Sequence, residues 1–235
     1  MRGLYAIVDT RTLRARGIEL VAFSRAVLAA RPAALQLRAK DEGPREVLSF
    51  LRTLSPLCRE AGVPFVVNDR ADLAALGGCD YVHVGQDDLP IERVRRLAPL
   101  LRVGLSTHTA EQLARALDAR PEYVAYGPVF ATSSKELPDP IVGLAGLREA
   151  AAAARRARIP LVAIGGITLA RAPEIGSIAD VAAVISGLLP ESELGPATRA
   201  DPRGLLDRVT ARARELHAAL LAPRTDASEG ARARV

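Results

Sequence analysis

Short apolar runs recur along the chain and alternate with segments of helical periodicity. Eight runs have the length and composition of buried strands. They are Leu4–Val8, Ala34–Arg38, Pro64–Asn68, Tyr81–Val84, Arg102–Ser106, Tyr123–Tyr126, Pro160–Ile164 and Asp180–Ile185. The segments between and after them predict helices at Ile18–Ala30, Pro44–Gly62, Ala71–Leu76, Pro90–Leu100, Thr109–Arg120, Leu144–Arg158, Leu169–Ile175 and Pro202–Leu221.

This alternation predicts an α/β protein, a single-domain (β/α)8 barrel of the TIM type. A doubly wound open sheet is the alternative, because strand runs alone do not reveal closure. The lack of a Gly-x-Gly-x-x-Gly motif after the first strand argues against dinucleotide binding. We assign the barrel to residues 1–221, and we expect residues 222–235, which are polar and poor in apolar side chains, to form a disordered tail.

The composition is that of a globular protein with one sizeable core. The chain has 235 residues, of which 49% are hydrophobic and 25% charged. It contains no uncharged apolar run long enough to span a membrane, and its opening residues lead directly into a strand, so we expect a soluble, cytoplasmic protein. Cys58 and Cys79 form neither a metal-binding spacing nor a disulfide framework, so we expect buried thiols.

The basic net charge indicates an anionic ligand. The formal charge is +5 and the isoelectric point about 9.7. The arginines are scattered, however, and aromatic residues make up only 3%, which argues against nucleic acid. We therefore expect small anionic molecules as partners, no nucleic acid and no membrane; a homo-oligomer is compatible with the sequence.

Five residues belong to types that this chain rarely uses. Of 32 basic residues only Lys40 and Lys135 are lysine, Asn68 is the only asparagine, and Gln36 and Gln86 are two of three glutamines. The arginine- and alanine-rich composition reflects genome base composition, so residues of rare types are candidates for a chemically required role. All five lie at or just past predicted strand ends, where a barrel builds its site.

The second strand ends in an alternating polar pattern. Gln36, Arg38 and Lys40 are separated by single apolar residues, so their side chains point the same way. Two cations and an amide on one face suit a polyphosphate, with the guanidinium as a bidentate fork and the ammonium as a point charge. The alternative is a solvated strand end.

Two neighbouring strand ends carry oxygen ligands. Asn68 and Asp69 follow the third strand, and Gln86, Asp87 and Asp88 follow the fourth. Carboxylates beside a phosphate-binding cation cluster predict Mg²⁺, which takes one or two carboxylates together with waters and substrate phosphates. The alternative is that Asp69 and Asp88 are helix N-caps.

A second phosphate site is predicted farther along the chain. The long segment Gly127–Gly143 is typical of a functional loop and carries three hydroxyls and an ammonium in Ala131–Lys135. Gly165-Gly166 ends the seventh strand and Ile185-Ser186 the eighth, and loops after these strands often bind phosphate in barrels.

No set typical of nucleophilic catalysis is evident. His83 and His108 lie near the predicted site, but a lone histidine is more often structural. His217 lies in the last predicted helix and is expected at the surface.

Together these motifs resemble the thiamine-phosphate synthase family. The resemblance rests on Gln36–Lys40, Asn68-Asp69, Val82–Asp88, Gly104–Thr109, Gly127–Lys135 and Ala163–Ile167. It implies a transferase that joins hydroxymethylpyrimidine pyrophosphate to hydroxyethylthiazole phosphate and releases pyrophosphate, with Mg²⁺ as cofactor. It also implies that pyrophosphate departs first, leaving a pyrimidinylmethyl cation that the thiazole nitrogen attacks.

The resemblance also implies roles for individual residues. Contacts to the pyrimidine pyrophosphate are implied for Gln36, Arg38, Lys40, Asn68, Ser106 and Lys135, of which Arg38, Lys40, Ser106 and Lys135 are the catalytic candidates. Mg²⁺ ligation is implied for Asp69 and Asp88. Contacts to the thiazole phosphate are implied for Thr132, Ser134, Gly166, Ile185 and Ser186.

Two alternative functions are compatible with the same barrel. The related thiazole tautomerases share the barrel but have a catalytic histidine where this chain has Pro128. A non-catalytic barrel that binds phosphate ligands is the alternative from a different class of protein.

Overall fold

The computed structural model describes residues 1–132, 139–189 and 202–222. Eight parallel strands form the centre of these ranges. They are β1 (Gly3–Asp9), β2 (Ala34–Arg38), β3 (Phe65–Asn68), β4 (Tyr81–Val84), β5 (Arg102–Thr107), β6 (Tyr123–Tyr126), β7 (Leu161–Ile164) and β8 (Val181–Val184). Each strand pairs with the next one along the chain, and all observed pairings are parallel.

The sheet closes on itself. β1 pairs with β2 on one side and with β8 on the other, with Gly3 opposite Val181 and Ala6 opposite Val184. This closure confirms the (β/α)8 barrel and shows that the open doubly wound alternative is wrong. Because every strand runs the same way, all the carboxyl ends meet at one rim, and the polar residues that follow them are brought together.

Helices connect the strands and cover the outside of the barrel. They are α1 (Thr10–Ala15), α2 (Leu20–Leu28), α3 (Pro44–Ala61), α4 (Ala71–Gly77), α5 (Ile91–Leu97), α6 (Ala110–Asp118), α7 (Gly143–Ala157), α8 (Ala172–Ile178) and α9 (Pro202–Leu221), with a 3₁₀ turn at Ser186–Leu188.

Three local features differ from the predictions. α1 was not predicted; it begins because the carboxylate of Asp9 accepts a hydrogen bond from the backbone of Thr12 at 2.8 Å. α8 begins at Ala172, later than predicted, because proline is favoured in the first turn of a helix and Pro173 occupies that turn. The 3₁₀ turn after β8 was also not predicted. The predicted tail lies, beyond residue 222, outside the described residues.

The core has two layers. Side chains that point into the barrel form the inner layer: Tyr5, Ile7, Ala34, Val66, Tyr81, Tyr123, Ala125, Val162, Val181 and Ala183. The alternate residues of the strands point outward and pack with the helices in the larger layer. The inner layer fills the barrel and supports the polar rim above it.

The last helix is attached to the first strand by a histidine. Nδ1 of His217 in α9 accepts a hydrogen bond from the backbone N–H of Leu4 at 3.2 Å. The predicted surface position of His217 is therefore wrong: the side chain is half-buried, and burial lowers its pKa.

In the described part of the chain, the cysteines form no disulfide and the helices are not membrane-spanning. Cys58 is buried and Cys79 half-buried, both are free, and burial raises the pKa of each thiol to about 12. None of the helices in residues 1–132, 139–189 and 202–222 has the length and apolar character needed to cross a membrane.

Candidate active site

A cavity of about 470 Å³ lies at the carboxyl ends of the strands. Among its lining residues are eleven of the predicted site residues: Gln36, Arg38, Lys40, Asn68, Asp69, Asp88, Ser106, Thr132, Gly166, Ile185 and Ser186. The structure thus brings both predicted ligand regions into one cavity. The two other candidates, Ser134 and Lys135, lie outside the described residues.

The cation at the end of β2, Arg38, and the cation two residues beyond it, Lys40, are each paired with a carboxylate. The Arg38 guanidinium is hydrogen-bonded to Oδ2 of Asp9, a buried residue at the end of β1. Nζ of Lys40 lies 3.2 Å from Oδ2 of Asp69. The alternative of a solvated strand end does not fit Arg38, whose side chain is only 20% exposed. Lys40, at 49%, is the more accessible cation.

Asp9 was missed as a candidate. One oxygen caps α1 and the other orients Arg38. The available signal was an aspartate directly after the apolar run Leu4–Val8, the same pattern that identified Asp69. The strand was recognised, but its polar end was not read as part of the site.

The two predicted metal ligands lie close to each other. Burial and the neighbouring Asp88 carboxylate raise the pKa of Asp69, and Lys40 partly opposes this effect. Oδ2 of Asp88 accepts a hydrogen bond from the backbone of Gly85 at 2.7 Å. Neither aspartate caps a helix, because the N-cap positions of α4 and α5 are Arg70 and Pro90. The helix-cap alternative is therefore wrong.

The donor set around this carboxylate pair determines which metal it could hold. Within the described ranges no three His, Cys, Asp or Glu side chains come together as a metal-binding group. A complete protein cage for a metal is thus absent from this part of the chain. Two adjacent carboxylates beside two cations do fit Mg²⁺, which typically takes one or two carboxylates and completes its shell with water and phosphate oxygens.

Two glycines shape the opposite side of the cavity. Gly165 and Gly166 have φ angles of 102° and 62°, a region that favours glycine. A β-carbon on Gly165 would lie 2.5 Å from Cβ of Pro128, and one on Gly166 would lie 2.4 Å from the carbonyl oxygen of Ala131. The β6–α7 connection therefore approaches β7 closely, which brings Thr132 to the same cavity.

The histidines near the site occupy different environments. His83 is a buried residue that lines the cavity, and burial lowers its pKa to about 4, so its imidazole is neutral near pH 7. Its ring stacks on that of Tyr123, with centroids 5.6 Å apart. Nδ1 of His108 lies 2.6 Å from the carbonyl oxygen of Gly127 and 3.5 Å from a carboxylate oxygen of Asp139. These contacts hold both imidazole rings in place.

Fold and site together define a class: an α/β barrel whose strand ends form a charged cavity of a size that suits small molecules. A family model described as thiamine monophosphate synthase matches residues 4–188. The chain is 41% identical over 199 residues to a thiamine-phosphate synthase of Roseiflexus sp. (strain RS-1), covering 84% of this chain and 82% of that protein. It is 38% identical to the thiamine-phosphate synthase of Methanocella arvoryzae, covering 83% and 91% of the two chains.

A solved structure gives the same result. Thiamine phosphate pyrophosphorylase from Pyrococcus furiosus is 31% identical, with a TM-score of 0.73 and coverage of 91% of this chain and 96% of that one. The chain belongs to the thiamine monophosphate synthase family, whose named members are transferases. This confirms the resemblance inferred from the motifs and does not favour the tautomerase or the non-catalytic barrel.

Proposed function

We propose that this barrel condenses hydroxymethylpyrimidine pyrophosphate with hydroxyethylthiazole phosphate to give thiamine phosphate and pyrophosphate. The observation that carries the proposal is one cavity in which Arg38, Lys40, Asp69 and Asp88 meet, opposite the glycine turn at Gly165. The cations suit the phosphate oxygens of a pyrophosphate, and the adjacent carboxylates suit a divalent metal bound together with it. Family membership gives the reaction class.

The pyrophosphate end of the first substrate binds at β2. Asp9 keeps the guanidinium of Arg38 in place, so little side-chain entropy is lost when a phosphate is bound. Lys40 is half-exposed and paired with Asp69, so it can move from the carboxylate to a phosphate oxygen. The charge of Asp69 is then free for a metal cation.

Asp69 and Asp88 would hold the Mg²⁺ ion. When bound, the ion supplies neutralisation of the negative charge that grows on the departing pyrophosphate. The protein contributes the two carboxylates and keeps them together at adjacent strand ends, at the cost of their mutual repulsion.

The thiazole phosphate binds on the other side of the cavity. Gly166, Ile185 and Ser186 lie at the ends of β7 and β8, where backbone N–H groups commonly receive phosphate in barrels. Thr132 adds a hydroxyl from the β6–α7 connection. Binding the two anions on separate elements orients the thiazole nitrogen toward the reacting carbon.

The bond rearrangement requires no activated nucleophile. The carbon–oxygen bond to pyrophosphate breaks, its electron pair leaves with pyrophosphate, and the thiazole nitrogen donates the pair for the new carbon–nitrogen bond. Held cations stabilise the developing charge, which is the main requirement of such a step. A neutral, buried His83 agrees with a site that works by charge stabilisation.

We also propose a cytoplasmic location, since the two cysteines are free and suit a reducing compartment. The exposed Leu76, Leu97 and Leu100 would suit the contact surface of a homo-oligomer.

The test is a turnover assay with each substrate omitted in turn. With both substrates and Mg²⁺ present, pyrophosphate and thiamine phosphate should form in equal amounts; with either substrate alone, no pyrophosphate should appear. A tautomerase would instead convert a thiazole phosphate precursor without the pyrimidine. A non-catalytic barrel would bind the substrates without turnover, and either result would contradict the proposal.

A further inference from the structure

A continuous chain of hydrogen bonds crosses the inside of the barrel directly beneath the cavity. It begins on β5, where Oγ of Ser106 lies 2.9 Å from Nε2 of His83, and Nδ1 of His83 lies 3.0 Å from the hydroxyl of Tyr123. The Tyr123 hydroxyl lies 2.8 Å from that of Tyr5, which donates to Oε1 of Gln36 at 2.7 Å. Nε2 of Gln36 then donates to Oδ1 of Asn68 on β3 at 3.0 Å. Both of its ends line the cavity.

The two tyrosines in the middle of this series do not line the cavity, and Gln36 and His83, which do, are still almost fully buried. Tyr123 and Tyr5 are 0% and 1% exposed, Gln36 is 2% exposed and His83 is 9% exposed. Burial raises the pKa of both tyrosines, so both hydroxyls carry their protons. Each hydroxyl therefore has one hydrogen to donate, and a buried group left without its partner would be costly.

The direction of one bond determines all the others. Gln36 donates its amide N–H to Asn68, so its oxygen accepts from Tyr5. Tyr5 has then used its only hydrogen and must accept from Tyr123, and Tyr123 in turn must accept from His83. The neutral imidazole thus carries its hydrogen on Nδ1. Its Nε2 is an acceptor, and the hydroxyl hydrogen of Ser106 points down to it.

We infer that Tyr5 and Tyr123 are positioning residues that fix the Nδ1–H tautomer of His83 and thereby the hydrogen-bonding pattern that the cavity floor presents to the substrate. Ser106 presents oxygen lone pairs, because its hydrogen is used below. Asn68 presents its N–H₂ group, because its oxygen is used by Gln36.

This pattern selects one edge of a heterocycle. An acceptor at Ser106 and donors at Asn68 match a ring that carries an exocyclic amino group beside a ring nitrogen, as an aminopyrimidine does. In a ring with a carbonyl in place of the amino group, the carbonyl oxygen would face the lone pairs of the Ser106 hydroxyl, and no hydrogen bond would form. This part of the inference rests on the proposed function, whereas the tautomer of His83 does not.

The tautomer is measurable in the substrate-free protein. The chain has three histidines, so ¹⁵N-histidine labelling gives a simple spectrum, and two-bond ¹H–¹⁵N correlations distinguish the two neutral tautomers. His108→Asn and His217→Asn identify the signals of the other two. We expect the Nδ1–H tautomer for His83 in the parent; an Nε2–H tautomer would overturn the inference whether or not the protein turns over substrate.

Removal of one hydroxyl should disturb the pattern selectively. Tyr123→Phe keeps the ring but removes the acceptor of His83, so we expect a mixture of tautomers and a roughly five- to tenfold higher Michaelis constant for the pyrimidine pyrophosphate, with little change for the thiazole phosphate. Tyr126→Phe is the matched control, since Tyr126 lies on the same strand but belongs to the outer layer of the core. Equal effects of the two variants on these constants would overturn the inference.

Tyr5→Phe interrupts the same series of hydrogen bonds at a second place. Because both tyrosines act through one directed series of bonds, the double variant should raise the Michaelis constant much less than the product of the two single effects. Independent, multiplicative effects would contradict a directed chain. If Tyr123→Phe does not fold, the parent tautomer and the Tyr5→Phe kinetics still decide the question.

Discussion

Gly104 should tolerate no side chain, because the ring of Tyr123 occupies the space beside it. A β-carbon on Gly104 would lie 2.0 Å from Cζ of Tyr123 and 2.4 Å from its hydroxyl oxygen. Non-bonded carbons prefer roughly 3.5–4.0 Å, so the ring would have to move by about 1.5 Å. It is held by Tyr5 and His83, whose ring centroids lie 5.8 and 5.6 Å away.

We therefore expect Gly104→Ala to cost about 3 kcal/mol, the upper part of the range for overpacked cores, because movement of the ring also breaks buried hydrogen bonds. For a barrel of this size that corresponds to a fall in Tm of roughly 6–12 °C. Gly146→Ala in α7 is the control: its β-carbon would be 3.4 Å from Cβ of Val142, and alanine should stabilise the helix by about 0.5–1 kcal/mol. Urea unfolding measures both, and a Gly104→Ala variant as stable as the parent would refute the packing argument.

Three further predictions concern charges. Asp9→Asn removes the anion beside Arg38, so the Michaelis constant for the pyrimidine pyrophosphate should rise about tenfold in steady-state kinetics, whereas Asp41→Asn, in an exposed pair, should leave it unchanged. Because burial lowers the pKa of His217, its contribution to the free energy of unfolding should be fully present above about pH 6.5 and be lost as the pH falls below that value. His217→Asn, which keeps a hydrogen-bond acceptor, should weaken this pH dependence in urea unfolding, and an unaltered pH dependence would contradict the assignment. Lys135→Arg should lower turnover about tenfold, or ~1.4 kcal/mol, and near-normal turnover would count against a role for that lysine as a point charge.

Most of the barrel was predictable from periodicity alone. β2, β4 and β6 begin and end at the predicted residues, because apolar runs bounded by prolines and polar residues leave little choice of boundary. The eight alternations favoured the closed barrel, but the strand runs themselves did not exclude an open sheet, since closure depends on the pairing of β1 with β8 across the whole chain. α1 was missed because it is short and its start depends on the cap formed by Asp9.

The site was predictable where residue type was unusual and unpredictable where partners mattered. Lys40 and Asn68 stand out in an arginine-rich chain, and both line the cavity. The pairing of Arg38 with Asp9 joins two strands, and no local pattern encodes it. Tyr123 looked like an ordinary apolar strand residue; only the folded barrel brings its hydroxyl to His83.

The central claim is that the strand ends build one site for pyrophosphate and Mg²⁺. Calorimetric titration of inorganic pyrophosphate into the protein, with and without Mg²⁺, tests it most directly. In the parent we expect Mg²⁺ to strengthen binding about tenfold or more, because under the proposal Asp69 and Asp88 would hold the ion beside the bound pyrophosphate. In Asp69→Asn and Asp88→Asn the gain should largely disappear. Equal affinity with and without Mg²⁺ in the parent, or an undiminished gain in both variants, would contradict the claim.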